Sequence, residues 1–242
     1  MRAGFARCFG RLRESLRGFS SLLRVLDGIT ACLFDLDGVL TNTAEVHARA
    51  WKQTFEAHGY DFDARADYDR YVDGKSREDG IRDFLASREV HPSDDEIGKL
   101  GDEKNDLVLK LIHETGVEEF PDARRLLESL EMPCAVVSSS HNAAEVLEST
   151  GLDRFFETIV DGNVKDELDL RGKPAPDMFL EGAKRLGVAP DRAAVFEDAQ
   201  AGVAAGRAGK FGRVVGVNRA DQREALLEHG ADVVVDKLTE LL

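Results

Sequence analysis

Two acidic residues one position apart, Asp35 and Asp37, stand at the end of an apolar run and are followed by Gly38. A short, continuously apolar run that ends in turn-forming residues is typical of a strand buried on both faces of a parallel sheet. Ligands of open α/β sheets bind just beyond the carboxyl ends of the strands, so this position favours a reactive carboxylate pair. The spacing itself is not distinctive, because Asp61 and Asp63 repeat it without a preceding strand. From this segment alone, a reactive pair and a simple strand-end turn both stay open.

A second strand-like run, residues 193–196, also ends in acids, Glu197 and Asp198. Adjacent buried carboxylates repel each other and lose hydration, so they need a cation or hydrogen-bond donors as compensation. A hard divalent ion with oxygen ligands suits such a group, and Mg²⁺ fits best. An Asp that caps the following helix is the alternative for this segment taken alone. Together with Asp35 and Asp37 at another strand end, these acids favour a metal site.

Candidate phosphate-binding groups occur in two further places. Hydroxyl side chains before the free N–H groups of a helix start can bind an anion, although plain capping of that helix is the commoner explanation. Lys173 precedes Pro174 in a turn-rich segment, and a lysine held in this way can neutralise a phosphate, whereas most single lysines are solvated. The candidates after the apolar run 134–137 are Ser138, Ser139, Ser140 and Asn142.

The arrangement of apolar runs predicts the elements that position these groups. Beyond residue 120, short Val-rich runs alternate with helix-like segments, a pattern typical of βα repeats and a parallel sheet. Residues 43–117 are mostly polar and have helical spacing. We therefore predict an α/β fold, with a Rossmann-like parallel-sheet core of residues 29–42 and 118–242. A helical cap, residues 43–117, is inserted after the first strand, and two chain crossings would let it open and close over a site.

Composition excludes several classes of function. The formal charge of −14 argues against nucleic acid as a partner. The three cysteines are widely spaced and form no C-x-x-C pair, which indicates reduced, packed thiols and a cytoplasmic protein. The sequence predicts no transmembrane segment, and its beginning lacks the apolar core of a secretory signal.

Residues 1–28 are predicted to be a basic, amphipathic N-terminal extension. Positions 1–26 hold six Arg and one Glu, a charge of +5, so the remaining residues carry −19. Apolar residues recur there in steps of three and four, which predicts a helix with Arg on its other face. Such a helix could touch a membrane surface or a partner, or act as a transit-like peptide. We favour an appendage without a role in the reaction, or an upstream start codon.

Four motifs in this order resemble those of the haloacid dehalogenase superfamily: Asp35-Leu-Asp37-Gly-Val-Leu-Thr, the strand end at Ser138, Lys173-Pro174 and Glu197-Asp198. The resemblance covers residues 29–242. Within the superfamily, residues 37–51 and 71–79 are similar to the beta-phosphoglucomutase family. The resemblance implies a catalytic core with a cap domain, Mg²⁺ as cofactor and a small-molecule sugar phosphate as substrate.

The resemblance implies a role in the reaction for each of four residues. Asp35 would be the nucleophile that carries the phosphoryl group as an aspartyl phosphate. Asp37 would be the general acid and base at the sugar hydroxyl. Thr43 and His47 lie four residues apart, hence on one helix face, and would position Asp37 as the cap closes. Taken without the resemblance, His47 is an exposed helix residue.

The resemblance also implies the ligands of the metal and of the substrate. Mg²⁺ would be held by Asp35, the Asp37 backbone carbonyl, Glu197 and Asp198. The transferring phosphate would contact Ser138, the Ser139 amide and Lys173. The sugar and its second phosphate would contact Gly74, Lys75, Arg77, Ser140 and Asn142. Arg77 suits the second phosphate because guanidinium binds phosphate bidentately, and its alternative role is an ion pair with Glu78 or Asp79.

The implied activity is that of a phosphosugar mutase, which converts β-glucose 1-phosphate to glucose 6-phosphate through an aspartyl phosphate and glucose 1,6-bisphosphate. A sugar-phosphate phosphatase would use the same residues with water as the acceptor. A non-catalytic binding protein is the alternative from another class, and the intact set of acids with Lys173 disfavours it. Phosphoryl transfer needs mainly positioning and charge neutralisation, which this set of residues can supply.

Overall fold

The computed structural model describes residues 25–242. The predicted N-terminal extension therefore lies outside the described residues, except for its last four. Those four join the core, since Leu26 is buried and the Val25 carbonyl accepts a 2.9 Å hydrogen bond from Arg213 Nε. Among the described helices, none combines the length and the apolar character that crossing a membrane requires.

The sheet consists of six parallel strands: β1 (Ala31–Phe34), β2 (Cys134–Val137), β3 (Thr158–Val160), β4 (Ala193–Glu197), β5 (Arg213–Val217) and β6 (Val233–Val235). Their order across the sheet is β3-β2-β1-β4-β5-β6. After β3 the chain passes to the other side of β1, so a topological switch point lies between β1 and β4. In register, Phe34 lies opposite Phe196, so the residues that follow them, Asp35 and Glu197, come level with each other. The predicted α/β class with a parallel sheet is confirmed.

A helical insert follows β1. It contains α1 (Ala44–Ala57), a single π-helical turn (Tyr68–Val72), α2 (Arg77–Ala86) and α3 (Asp94–Thr115). Helix α3 begins at a capping box made by Ser93 and Glu96, and it ends at Gly116, whose φ of +73° suits glycine. The insert has its own apolar cluster, in which the ring centroids of Phe55 and Phe84 are 4.1 Å apart. The division of the chain into a core and a cap stays a prediction.

Two short chain segments join the insert to the sheet. The Asn42 amide donates to the Glu118 carbonyl, and the Phe120 amide donates to the Leu40 carbonyl, both at 2.9 Å. The two segments therefore run side by side over a few residues. Such a short connection can absorb a change of angle without disturbing the sheet.

Helices cover both faces of the sheet: α4 (Pro121–Ser129), α5 (Ala143–Thr150), α6 (Gly162–Glu167), α7 (Asp177–Arg185), α8 (Gln200–Ala208) and α9 (Arg223–Glu228). Alternate residues of β1 enter the two apolar layers, with Phe34 on one face and Leu33 on the other. Cys32 and Cys134 are buried free thiols, as predicted, while Cys8 lies outside the described residues. The two-sided packing explains why the strands are apolar over most of their length, with polar residues where β1, β2 and β4 end.

Candidate active site

The carboxyl ends of β1 and β4 bring a lysine and two acids together. Lys173 Nζ lies 2.5 Å from Asp35 Oδ1 and 2.6 Å from Glu197 Oε1, and it also donates to the Val137 carbonyl at 3.0 Å. Lys173 and Glu197 are fully buried and Asp35 is nearly so. The interpretation of Lys173 as a solvated surface residue is therefore wrong, since the sheet encloses its ammonium between carboxylates.

Burial and charge set the protonation of this group. Burial raises the pKa of Asp35 from its ordinary 3.8 to about 6 and the pKa of Glu197 from 4.5 to about 7, although Lys173 opposes both changes. Burial acts to lower the pKa of Lys173, but the two carboxylates outweigh it and raise that pKa. The lysine therefore stays charged, and the acids lie in a medium that favours their neutral forms until more positive charge arrives.

Asp37 points to different partners from those of Asp35. Its Oδ1 accepts a short hydrogen bond from Thr43 Oγ1, and its Oδ2 accepts one of 3.2 Å from Ser138 Oγ. The Nε2 of His47 lies 3.6 Å from Oδ1. Burial raises the pKa of Asp37, against hydrogen bonds and nearby cations that act to lower it. The strand-end acids thus have separate surroundings, one held by Lys173 and the other by hydroxyls and a histidine.

His47 is oriented by a residue that the sequence analysis did not select. Lys104 Nζ, on α3, donates to His47 Nδ1 at 2.9 Å, so the ring's remaining N–H is at Nε2, the nitrogen nearest Asp37. Burial lowers the pKa of His47 well below its usual range, and Lys104 and Arg77 act in the same direction. The exposed-residue interpretation of His47 is wrong, because only 15% of its side chain is exposed.

The sequence contains a pattern that could have identified Lys104 as a residue of the site. The buried positions of α3 form a stripe at helical spacing, and Lys104 occupies one of them between apolar residues. Burial lowers its pKa to about 7, and Arg77 adds to this effect, while Asp37 opposes it. A lysine inside an apolar stripe is costly to bury unless it has a partner, so its position indicates a specific contact.

The serines after β2 form a compact loop. Ser138 Oγ accepts from the Ser140 amide at 3.1 Å, and Ser140 Oγ accepts from the Asn142 amide at 3.2 Å. The Asn142 side chain makes no capping bond to α5 and instead donates to Asn105 Oδ1 of the insert at 3.0 Å. Plain capping is therefore the wrong explanation for Asn142, which connects the loop to α3.

The insert contributes a glycine loop and an arginine to the same cleft. The Gly74 carbonyl accepts a 2.8 Å hydrogen bond from Ser139 Oγ, and a Cβ at Gly74 would lie only 2.7 Å from Ala199 Cβ. Arg77 Nη1 donates to the Gly101 carbonyl at 3.2 Å, and its nearest acid is Asp102 at 3.8 Å. The alternative partners predicted for Arg77, Glu78 and Asp79, are not the ones it contacts in the described chain.

Lys75 and Asp73, two residues that line the cleft, have surroundings that the sequence analysis did not predict. The ammonium of Lys75, predicted to contact the sugar, is paired with Asp83 Oδ2 at 2.6 Å. Asp73 and Tyr68, which were not predicted as site residues, line the cleft beside Asp198. Burial raises the pKa of Asp73 well above its usual range, and Glu197 and Asp69 add to this effect. The raised pKa favours the neutral form of Asp73, which places no negative charge in the cleft.

Comparison with known proteins assigns the chain to a family. The sequence profile of the haloacid dehalogenase-like hydrolases matches residues 29–210. The chain belongs to this family. A beta-phosphoglucomutase of Mycobacterium bovis is 50% identical over 92% of this chain and 95% of its own length. A phosphorylated carbohydrates phosphatase of Thermotoga maritima is 30% identical, over 85% of this chain and 93% of its own. The crystal structure of beta-phosphoglucomutase from Clostridium difficile is 31% identical with a TM-score of 0.75, over 88% and 93% of the two chains.

These similarities confirm the predicted resemblance to haloacid dehalogenase-like enzymes of the beta-phosphoglucomutase type. They also confirm the prediction of an enzyme, an intramolecular phosphotransferase. The interpretation as a non-catalytic binding protein is wrong. The roles of individual residues in the reaction stay predictions.

The haloacid dehalogenase-like site has the ligands that a hard divalent cation needs. Carboxylate oxygens of Asp35, Glu197 and Asp198 lie within 4.8 Å of one another, and all three residues are buried. Asp198 Oδ1 is buried without a hydrogen-bond partner among the described residues. A Cβ at Gly38 would overlap the Asp198 carboxylate, and one at Gly202 would overlap that of Glu197. Three close oxygens, one unsatisfied, fit Mg²⁺.

We expect Mg²⁺ to stabilise the protein more at higher pH. Because the pKa of Asp35 is raised to about 6 and that of Glu197 to about 7, the metal-free native state holds protons that the unfolded chain releases. The stability from these two groups is present at low pH and is lost as the pH rises through those values. Mg²⁺ must displace the same protons, so the rise in melting temperature should be small near pH 5 and large near pH 8.

Thermal unfolding with excess Mg²⁺ and with a chelator, measured at both pH values, checks this expectation. The variant Glu197→Gln should show a smaller Mg²⁺ effect at the higher pH, because it has one anionic ligand fewer. An equal rise at both pH values would contradict the assignment of these carboxylates to the metal.

Proposed function

We propose that this enzyme interconverts β-glucose 1-phosphate and glucose 6-phosphate through an aspartyl phosphate and a bound glucose 1,6-bisphosphate. One observation carries the proposal. The insert places His47 beside Asp37 and Arg77 in the same cleft, so catalytic acids of the core face cationic and hydrogen-bonding groups of a second element. A simple phosphatase needs the core groups, whereas a mutase also has to hold a second phosphate.

The residues divide the transfer between them. The Asp35 oxygen that is not bound by Lys173 attacks the C1 phosphorus of glucose 1,6-bisphosphate, and the bond from that phosphorus to the sugar oxygen breaks, which leaves glucose 6-phosphate. Asp37, whose raised pKa favours its neutral form, gives its proton to that leaving oxygen. In the other transfer Asp37 takes the proton of the C6 hydroxyl of β-glucose 1-phosphate, whose oxygen attacks the aspartyl phosphate, releases Asp35 and forms glucose 1,6-bisphosphate. Lys173 and the hydroxyl of Ser138 lie where negative charge on the transferring group has to be neutralised.

Mg²⁺ would be held by Asp35, Glu197, Asp198 and the Asp37 backbone carbonyl. When bound, it supplies positive charge that offsets the repulsion between the Asp35 carboxylate and the incoming phosphate. Residues 43–117 would act as the cap over the core of residues 29–42 and 118–242. A cytoplasmic location, and contact of residues 1–28 with a membrane or partner, stay predictions.

A single assay tests the proposal. The protein is supplied with β-glucose 1-phosphate, Mg²⁺ and a trace of glucose 1,6-bisphosphate, and glucose 6-phosphate is measured against free phosphate. We expect glucose 6-phosphate to form much faster than free phosphate. Free phosphate as the main product would instead support the phosphatase alternative, for which the Thermotoga maritima relative is the specific precedent.

Arg77→Ala should reduce kcat/KM for the mutase reaction by roughly 10- to 100-fold, the loss expected for a hydrogen-bonded charge contact. Turnover of para-nitrophenyl phosphate should fall much less, because this substrate has no second phosphate for Arg77 to hold. Both rates are measured on the same preparations.

The matched control for Arg77 is Arg82→Ala, on the same helix. Arg82 is exposed and pairs with Asp94 at 2.9 Å, outside the cleft. We expect this variant to keep both rates. Equal losses on the two substrates in Arg77→Ala would indicate a folding defect, or contact of Arg77 with the transferring phosphate.

A further inference from the structure

A relay of side chains links the insert to a short core helix that the mechanism does not use. Arg77 Nη2, on the insert, lies 2.9 Å from His141 Nδ1, and His141 Nε2 lies 2.9 Å from Asp166 Oδ2 on α6. The histidine is therefore placed between the arginine and an acid. It stands in the loop between Ser140 and Asn142, two residues predicted to contact the sugar.

The donors that Arg77 and His141 carry determine the direction of the two hydrogen bonds made by the His141 ring. A guanidinium can only donate, so His141 Nδ1 accepts, and the ring hydrogen is on Nε2, which donates to the Asp166 carboxylate. The ring lies so close to Gly162 that a Cβ there would be 2.6 Å from Nδ1. The His141 carbonyl also accepts from Asn163 Nδ2 at 2.8 Å. The His141 side chain is thus fixed by close contact with Gly162 and by hydrogen bonds at both ring nitrogens, and its backbone is fixed by Asn163.

A second arm of the relay connects the same two elements. Lys165 Nζ lies 2.9 Å from Asp166 Oδ1 and 4.0 Å from Glu78 Oε2. Arg77 and Glu78 are consecutive residues at the start of α2, so two neighbouring side chains of the insert face α6. Opposite charges alternate along the relay, and its contacts can form only while the insert lies against the core.

The two hydrogen bonds that Arg77 donates leave some of its N–H groups available to bind an anion. His141 takes one N–H of Nη2 and the Gly101 carbonyl takes one of Nη1, while each terminal nitrogen carries two. One N–H on each nitrogen can therefore still donate to a phosphate. A guanidinium fixed at two points loses little further freedom when it binds an anion, which favours binding.

We propose that His141, oriented by Asp166, is a positioning residue that holds Arg77 in place for the second phosphate of the substrate. The inference rests on the proposed function for the identity of that phosphate. His141 acts through Arg77, and its acceptor nitrogen is the feature that matters.

Substitutions at His141 separate the two ring nitrogens. Asparagine places an amide oxygen where Nδ1 lies and can still accept from Arg77, whereas glutamine places its amide near Nε2. We expect His141→Asn to keep most of the mutase kcat/KM. His141→Gln and His141→Ala should each lose roughly 10-fold, with a much smaller change on para-nitrophenyl phosphate. The mutase kcat/KM of Asp166→Asn should lie between the values of His141→Asn and His141→Ala.

A double-mutant cycle and a matched histidine complete the test. Arg77→Ala with His141→Ala should be no slower than Arg77→Ala alone, because the histidine has nothing left to position. The control is His113→Ala, at a histidine of the insert that faces a core acid, with 3.7 Å between His113 Nε2 and Glu145 Oε1. It should leave both rates unchanged. Multiplicative losses in the cycle, or equal loss in the Asn and Gln variants, would overturn the proposal.

A spectroscopic readout separates this inference from the proposed function. Nitrogen-15 NMR of the histidine rings should show His141 with hydrogen on Nε2, and Arg77→Ala should shift the Nδ1 signal. If wild-type protein makes no glucose 6-phosphate, the proposed function fails while these spectra still decide whether His141 holds Arg77. A His141 Nδ1 signal that Arg77→Ala leaves unchanged would overturn the positioning role.

Discussion

Asp35→Asn is expected to abolish phosphoryl transfer to any acceptor. An amide is a poor nucleophile, and it also removes one of the three clustered anionic oxygens that fit Mg²⁺. Lys173 would keep its contact with Glu197 at 2.6 Å, so the buried ammonium would still have an anionic partner. We therefore expect a folded protein without activity. Acid-quenched protein after incubation with labelled glucose 1,6-bisphosphate should carry label in the wild type and none in the variant.

A matched control for Asp35→Asn comes from the second D-x-D pair. Asp61 has the same spacing to its neighbour, but it is exposed and follows no strand. Asp61→Asn should retain full turnover and full labelling. Substantial activity in Asp35→Asn, with the melting temperature preserved, would mean that Asp35 is structural and that another group is the nucleophile.

The strand ends were the most predictable part of the molecule. Asp35, Ser138 and Glu197 each follow an apolar run, and parallel strands end at one edge, so the sequence order alone predicts that they converge. The pattern does not give the register between strands. The structure shows that Phe34 pairs with Phe196, which places Asp35 and Glu197 level with each other. The sequence predicted Lys173 as a phosphate partner, and the structure adds that it is enclosed between two acids.

Groups on the insert were harder to predict for a physical reason. The contact of Lys104 with His47 joins two helices of the insert across 57 positions, and the contact of Arg77 with His141 joins the insert to the core across 64 positions. Neither helical periodicity nor strand alternation determines how one packed unit lies on another. Asp73 shows the same limit, since burial raises its pKa and acids of the core, which local sequence does not place beside it, raise it further.

Asp37→Asn is expected to lower the mutase kcat by about 10²–10⁴-fold, the usual contribution of a positioned general acid or base. The amide can still bond to Thr43 and Ser138, so the loop should keep its shape. The amide cannot give or take the proton that Asp37 transfers, a transfer that burial assists by raising the pKa of Asp37. Initial rates of glucose 6-phosphate formation at saturating substrate measure the effect.

The dependence of the residual rate on Mg²⁺ distinguishes the two strand-end acids. Because the metal would contact Asp37 only through its backbone carbonyl, the Mg²⁺ concentration for half-maximal activity should change little in Asp37→Asn. Glu197→Gln removes a carboxylate of the cluster and should raise that concentration. If Asp37→Asn stays active while its Mg²⁺ requirement rises sharply, the side chain is a metal ligand. The proton would then have to come from another group near the leaving oxygen, and His47, with its Nε2 3.6 Å from Asp37 Oδ1, would be the first to examine.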